Sequence, residues 1–531
     1  MKLSDKLSKW NISLSPGFTA RDKEIIEKIN GVSSSESILP YHHYISENIV
    51  KYSSNIAVHG EKRDYTYKEF FDKARAVSYH ISIRYKQGSR VAVLMGKGSE
   101  LIVSALGIAL AGCVYAPLDS DFSKDSVMYC LKNMSPACIM ADKRWRELLR
   151  DSGYDVVCMD DIDFNGGRDF DFRSVGLDDP FCIIHTSGST GFPKGVEINQ
   201  RGLISCLLYT NRLFGADYSD CVLSLTNHCH DMSLYDIFGM FLCGGAVAVI
   251  EHSHWKDPFI WSIIIERAGV TIWNSVPSFL ELYIETMPEE AEASIKQLKV
   301  IIHGGDYFKP SHAERILTIN PGCRVFNSGG PTETTLWNIY HQVTREDAAS
   351  GLIPYGVPFP DTEYYILGDN NELLPTEQVG VMYVCGVGTA KGYIGGRDHD
   401  RFITAEDGST LYNTGDTGYY SRNGYIVFKG RTDSQIKRYG KRIELDGIKK
   451  CALGFRDITD AAVAAYGDNN RTICLFYSSS EAIGETVLRS YLSVTLPDYM
   501  LPNRYVRVNG IPYTNNGKPD IKRLLKEYCE Q

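Results

Sequence analysis

The amino-acid sequence predicts an α/β protein: a large N-terminal core of layered α/β sheets, a small barrel-like β region within it, and a small C-terminal α+β lid. Three observations carry this expectation. Short β-rich runs at residues 90–95, 137–141, 181–185, 221–225, 246–250, 271–273 and 300–303 recur between longer helical stretches, the alternation that builds largely parallel sheets covered by helices. Between residues 364 and 428 the pattern changes to shorter β-like pieces separated by glycine-containing turns. Beyond Gly430 the chain turns polar, and the remainder has the size of a compact lid. The expected boundaries are a core over residues 1–431, a hinge at 432–433 and a lid over 434–531. The first forty residues carry no legible pattern.

Composition limits the function classes. The chain has 531 residues, 43% hydrophobic and 23% charged, which suits a large folded core. Its formal net charge of −9 with no sustained basic run argues against a nucleic-acid or anionic-membrane surface. No apolar run approaches the ~20 residues of a membrane span, and the polar residues 1–15 lack the apolar stretch of a secretory signal, so a cytoplasmic location is expected. The 14 cysteines are scattered singly without CxxC pairs, as reduced structural thiols would be.

The strongest local feature directly follows the apolar run ending at Ile184: His185-Thr186-Ser187-Gly188-Ser189-Thr190-Gly191-Phe192-Pro193-Lys194-Gly195. Glycines and small hydroxyl residues let backbone amides approach phosphate oxygens, the hydroxyls donate further, and Lys194 adds charge. Pro193 stands where a Walker loop needs its second glycine, and Gly195 follows the lysine in place of Ser or Thr. A different nucleotide chemistry is implied.

With this string the chain resembles the adenylation domains of nonribosomal peptide synthetases, in the superfamily shared with acyl-CoA synthetases and luciferases. The resemblance runs through eight motifs in order: Tyr65-Thr-Tyr-Lys-Glu-Phe70, Leu110-Ala-Gly-Cys-Val-Tyr-Ala-Pro-Leu-Asp119, the phosphate loop, Asn327-Ser-Gly-Gly-Pro-Thr-Glu333, Gly386-Val-Gly-Thr-Ala-Lys-Gly-Tyr393, Tyr412-Asn-Thr-Gly-Asp416, Gly430-Arg-Thr-Asp-Ser-Gln-Ile-Lys437 and Asn516-Gly-Lys518. It implies ATP-dependent activation of a carboxylic acid as its acyl-adenylate, with ATP and Mg²⁺ as cofactors. Such a reaction brings two anions together, so positioned cations matter more than acid or base groups.

The resemblance also implies residue roles. Thr186, Ser187, Ser189, Thr190 and Lys194, with Gly188 and Gly191 between them, would hold the β- and γ-phosphates. Glu333 would ligate Mg²⁺ and Thr332 would contact the α-phosphate, with Asn327 and Gly329 beside the nucleotide. Asp416 suits both ribose hydroxyls, since a carboxylate accepts two parallel hydrogen bonds, and Arg431 resembles the ribose-contacting arginine. Lys518 resembles the catalytic lysine of a mobile lid, which reaches the substrate carboxylate and the α-phosphate. Asp433 resembles the residue about which that lid turns, admitting a phosphopantetheine thiol in a second half-reaction.

The segment Asn227-His-Cys-His-Asp-Met-Ser-Leu-Tyr-Asp-Ile-Phe238 matches the place where amino-acid-activating members keep an aspartate for the α-ammonium, here Asp231. A buried ammonium needs a paired anion, so Asp231 favours a free amino acid over an aryl or fatty acid. The other pocket positions are Met232, Tyr235, Asn274, Ile302, Gly304, Ser328, Leu336 and Trp337, with Lys518 closing the carboxylate end. Apart from Asp231 and the lysine at the carboxylate end no lining residue is charged, so an acidic or basic side chain would go unpaired, and Tyr235 and Trp337 occupy volume, so a small side chain is expected. The wording resembles cysteine-activating domains; cysteine is the first choice, then glycine, alanine, serine and 2-aminobutyrate.

One departure concerns the nucleotide. Most family members carry an aromatic residue just before Gly-Pro-Thr-Glu that packs on adenine, whereas this sequence has Gly329, so stacking there must be weaker or borrowed. The sequence shows no condensation region before the adenylation motifs and no carrier module after them, so it is expected to stand alone and load a peptidyl or acyl carrier protein in trans. Rival readings are an acid–CoA ligase, a direct amide ligase, and a non-catalytic adenylate-binding protein.

Overall fold

The computed structural model describes residues 3–34, 37–167, 169–186, 193–396, 399–432, 435–438, 441–467, 472–513 and 519–529. The chain divides into two compact units, one comprising residues 1–120, 134–184 and 196–432, the other residues 121–133, 185–195 and 433–531.

The first unit is organised by a nine-stranded sheet. Its centre is six parallel strands in the spatial order Arg324–Gly329, Val300–His303, Ile272–Ser275, Cys221–Ser224, Ala246–Val249 and Ile56–His59. Antiparallel strands flank it at both edges. A six-stranded sheet runs Val156–Val157, Cys138–Ala141, Arg90–Leu94, Val114–Pro117, Pro180–Thr186, Lys194–Asn199. Strands such as Arg90–Leu94 and Val300–His303 read as continuous apolar runs because helices cover both faces of a parallel sheet. The helix Ser99–Leu110, apolar all round, is buried over nearly its whole length.

The expected barrel-like region is a seven-stranded, largely antiparallel sheet built on Thr362–Leu367, Gly380–Gly386 and Thr410–Tyr420. Register shifts at Val381/Tyr383 and Thr417/Gly418 are the irregularities by which strands bend. Onto this sheet folds the N-terminal segment that was illegible in sequence. Ser13–Leu14 pairs in parallel with Glu372–Leu373, and Leu3, Leu7, Trp10, Ile26 and Ile29 share a core with Tyr364 and Ile366. Asn30 fixes the seam: its Nδ2 donates to the Tyr364 carbonyl at 2.8 Å and its Oδ1 accepts the Tyr364 amide at 3.0 Å.

Within the second unit, the hairpin Gln435–Arg438/Lys441–Glu444 precedes the helix Leu445–Leu453 and a three-stranded sheet of Ile458–Tyr466, Thr472–Ser479 and Arg504–Arg507. Ile448 and Leu475 pack with Leu488 and Leu492 from the helix Glu485–Thr495. This is the α+β composition expected of the lid. Among the described residues no helix is long and apolar enough to cross a membrane, and all 14 cysteines are free.

Two core histidines set a pH limit. His228 and His303 are 3% and 1% exposed, and burial pushes each imidazole down to about 4. His228 also faces Asp119, which pulls it up, and Lys97 and His252, which push it down; the Ser275 carbonyl pulls His303 up. Their folded pKa lies below the unfolded value, so the unfolded chain binds more protons between pH ~6.5 and ~4 and native stability falls as pH drops through that window. Melting temperature should therefore hold near neutrality and decline below pH ~6, with up to about two protons taken up on unfolding near pH 5 from these two sites. A melting temperature independent of pH from 7 to 4.5 would contradict this.

Candidate active site

The phosphate-loop string lies between two adjacent strands of the six-stranded sheet, Pro180–Thr186 leading in and Lys194–Asn199 leading out. Residues Ser187, Gly188, Ser189, Thr190 and Gly191 lie outside the described residues, as do Asp433 and Lys518. At the flanks, the Thr186 hydroxyl donates to the Lys194 carbonyl at 3.5 Å. Within the second unit the Lys194 ammonium lies 4.0 Å from the Glu444 carboxylate, which also accepts a 2.6 Å bond from Gln435.

Asp231 and Thr332 are 101 residues apart in sequence, and the Thr332 hydroxyl donates to Asp231 Oδ2 at 2.6 Å. Asp231 is 4% exposed, and His230 Nδ1 lies 3.0 Å from its Oδ1. Burial pushes the Asp231 carboxyl up, but the charge and hydrogen bond of His230, the Thr332 hydroxyl and the Met232 amide outweigh it and hold the group below the usual carboxylate range. It is an anion at neutral pH, which is what a buried ammonium partner requires. His230 was not singled out in the sequence; its adjacency to Asp231 was the available signal.

Sheet register builds the pocket. Asn274 and Ile302 are direct partners on neighbouring parallel strands, and Ser328 follows on the next strand. Asn274 Nδ2 donates to the Met232 carbonyl at 3.1 Å and to Asp236 Oδ1 at 2.8 Å. A Cβ on Gly304 would stand 3.1 Å from the Ser328 carbonyl and 3.4 Å from Met232 Sδ, so this wall is tight and a larger residue would need its neighbours to give by a few tenths of an ångström. The Ser328 hydroxyl is buried without a partner. Tyr235 belongs to a π-helical turn, Tyr235–Gly239, a rare geometry that recurs at functional sites. Its ring lies 5.9 Å from that of Trp337, whose indole donates to Thr210 at 2.8 Å.

Leu336 and Trp337 enter this cluster through a strained turn. Thr335 and Leu336 hold φ of 65° and 57°, a left-handed pair that a β-branched residue avoids unless its surroundings impose it. The Thr335 hydroxyl is tied to the Gly388 carbonyl at 2.7 Å, and Asn338 to the Thr334 hydroxyl at 2.6 Å. Apart from Lys518, which lies outside the described residues, the expected pocket positions form one buried cluster, and a charged pair lies one layer deeper. Behind Asn274 lies Asp236, fully buried, with the buried Lys97 nearby; Lys97 Nζ donates to the Thr226 carbonyl at 2.5 Å. Burial pushes the Lys97 ammonium down and the Asp236 carboxyl up, each drawn back by the other's charge.

Glu333 has no solvent exposure; Tyr393 donates its hydroxyl to Oε1 at 2.6 Å, and the Ala390 amide binds the Glu333 backbone carbonyl at 2.8 Å. Tyr393 closes the Gly386–Tyr393 motif, for which no role was expected. Among the described residues no three acidic, His or Cys side chains gather as a metal site. A lone carboxylate fits Mg²⁺, which commonly takes one or two carboxylates together with substrate phosphates and water. Asp416 faces Arg431 in direct register, and the guanidinium pairs with Asp416 Oδ1 while donating to the Thr414 carbonyl at 3.1 Å. Asn327, expected beside the nucleotide, donates Nδ2 to the Pro354 carbonyl at 2.8 Å.

The AMP-binding enzyme family profile matches residues 45–394, and the chain belongs to this family. It is 29% identical over 516 residues to bacitracin synthase 1 of Bacillus licheniformis, a match covering 96% of this chain. The chain spans only 10% of that protein's length, and 19% and 21% of two Bacillus subtilis synthases that match similarly. In fold it is similar to the Vibrio cholerae adenylation domain AlmE, crystallised with glycyl-adenosine-5′-phosphate, at TM-score 0.80 and 22% identity over 94% of this chain and all of that one. It is also similar to holo-PA1221, a synthetase protein containing adenylation and carrier (PCP) domains, at TM-score 0.79 and 20% identity over 95% and 86% of the two chains.

Proposed function

We propose that this protein activates a small α-amino acid with ATP, releasing pyrophosphate and forming an aminoacyl-adenylate, and then transfers the acyl group to the phosphopantetheine thiol of a carrier protein. The observation that carries this reading is the 2.6 Å bond joining Asp231 to Thr332, because it unites a buried anion suited to an α-ammonium with a hydroxyl suited to the α-phosphate. In the first half-reaction a substrate carboxylate oxygen attacks the α-phosphorus and the bond to pyrophosphate breaks. Thr186, Ser187, Ser189, Thr190 and Lys194 would hold the leaving phosphates and Asp416 the ribose, with Arg431 orienting it. Bound Mg²⁺ supplies charge neutralisation on the phosphates, and Glu333 would be its protein ligand. Lys518 would offset the charge that gathers between carboxylate and α-phosphate. In the second half-reaction the thiol attacks the acyl carbonyl and AMP leaves, after a turn about Asp433.

The adenylation and carrier domains joined in PA1221 support the carrier as partner, and the glycyl adenylate held by AlmE supports a small amino acid. The narrow wall at Gly304 and the Tyr235–Trp337 pair support the same limit on size, with cysteine first, then glycine, alanine, serine and 2-aminobutyrate. The test is amino-acid-dependent pyrophosphate exchange across the twenty amino acids and 2-aminobutyrate. Small uncharged substrates should exchange fastest, with neighbours differing by one methylene separated by roughly 10–200-fold. Exchange confined to large or charged amino acids would overturn the pocket reading. Trapping of a thioester on a carrier protein tests the second step; product appearing only on free amines would overturn it.

A further inference from the structure

Gly329 leaves a gap in the nucleotide site as read from sequence, and the structure shows what fills it. A Cβ built on Gly329 would stand 2.0 Å from Tyr355 Cε2 and 2.5 Å from its Cζ and Oη. The Tyr355 ring therefore occupies the space into which a side chain at 329 would project. The two residues exclude each other: no aromatic ring can be added at 329 while Tyr355 stays. We propose that Tyr355 is the aromatic platform for adenine, supplied from a different segment of the chain than the Gly-Gly-Pro-Thr-Glu strand end. The inference rests on the ATP-dependent reading above and extends it to a residue that no motif names.

Three further observations support a built site. The ring is held, since Tyr364 and Phe428 meet it edge-on at centroid distances of 6.4 and 5.8 Å. Its backbone is held on both sides. The Pro354 carbonyl accepts the Asn327 amide, and the Gly356 amide and carbonyl both pair with Ile426 at 3.0 and 2.7 Å. Gly356 itself has φ of 115°, and a Cβ there would stand 1.8 Å from the Tyr340 carbonyl, so this turn accepts only glycine. The surroundings also fit a nucleotide: the ring is half-buried, and its hydroxyl feels the Asp416 carboxylate, the Arg431 guanidinium and the Gly330 amide. Burial and that carboxylate push the Tyr355 phenol well up, so it adds no negative charge near phosphates. Asn327 thereby acquires a positioning role, fixing the segment that carries the ring.

The test uses the full chain and equilibrium ATP binding, which needs no turnover. Tyr355→Leu, close to the original volume, and Tyr355→Ala should weaken ATP binding roughly 5–150-fold, the range for losing one base–aromatic stack. Tyr355→Phe should stay within about twofold of wild type, because the face of the ring and not its hydroxyl meets the base. The KM for the amino acid should not move with any of them. Unchanged ATP affinity in Tyr355→Leu at a wild-type melting temperature would overturn the proposal. If both truncations unfold, photolabelling of wild type with 8-azidoadenosine triphosphate decides: label on the peptide containing Tyr355 supports the platform, and label only elsewhere overturns it. Wild-type protein that binds ATP but exchanges pyrophosphate with no amino acid would sink the proposed reaction while leaving the platform testable.

Discussion

Replacing Asp231 with alanine should cut amino-acid-dependent pyrophosphate exchange roughly 10²–10⁴-fold in kcat/KM while ATP binding persists. The size follows from the site: an ammonium desolvated in a buried pocket loses its counter-charge, and removing one partner of a buried pair costs about 3–5 kcal/mol. The carboxylate is 4% exposed, so water cannot substitute for it. Asp231→Asn should recover little, because a neutral amide leaves the ammonium unpaired. The change also frees the Thr332 hydroxyl, so a loss in kcat should accompany the rise in amino-acid KM. The measurement is exchange at saturating ATP over a series of amino-acid concentrations. Undiminished exchange would sink the assignment of Asp231 to the ammonium.

Glu333→Gln should lower exchange about 10²–10³-fold and move the Mg²⁺ dependence to higher concentration, the cost expected when one preorganised electrostatic group is lost. Tyr393→Phe separates ligand from support. It removes the 2.6 Å bond to Glu333 Oε1, and loss of such outer partners typically costs about 10–100-fold in metal affinity or activity. The two variants should diverge in stability. Tyr393→Phe leaves a buried carboxylate short of a donor and should destabilise the ligand-free protein by about 1–3 kcal/mol, whereas Glu333→Gln keeps a hydrogen-bonding partner and removes a buried charge. Titration of Mg²⁺ with both variants, beside thermal melts, is the check. A Mg²⁺ dependence identical to wild type in Glu333→Gln would exclude its role as ligand.

Much of the core was legible in sequence because its parallel strands are buried on both faces and read as unbroken apolar runs: residues 300–303 form a strand over the same span. The pocket was legible as positions but not as a mechanism. Asp231, Asn274 and Ser328 stand in recognisable wording, whereas the contact between Asp231 and Thr332 spans 101 residues and appears only when the sheet is assembled. Lys97 shows the limit most clearly. Within Met95-Gly-Lys-Gly-Ser99 nothing singled it out in the sequence, yet it is 5% exposed beside Asp236. Burial of a charge is decided by what folds over it, and local composition holds no record of that. Gly329 marks the opposite case: the sequence announced an absence, and the residue that fills it, Tyr355, lies beyond the motif.

The N-terminal seam carries a consequence for how the chain is made. Leu14 finds its strand partner in Leu373, and Asn30 its carbonyl in Tyr364. A ribosome adding roughly 5–20 residues per second needs about 20–70 s to travel between such partners. Throughout that interval Leu3, Leu7, Trp10, Ile26 and Ile29, which end in a shared apolar core, have no sheet to cover them. Residues 3–30 emerge long before their partners and dock late. In the newborn chain they form a sticky stretch that a chaperone would find early, and the completed seven-stranded sheet is what finally withdraws it from reach.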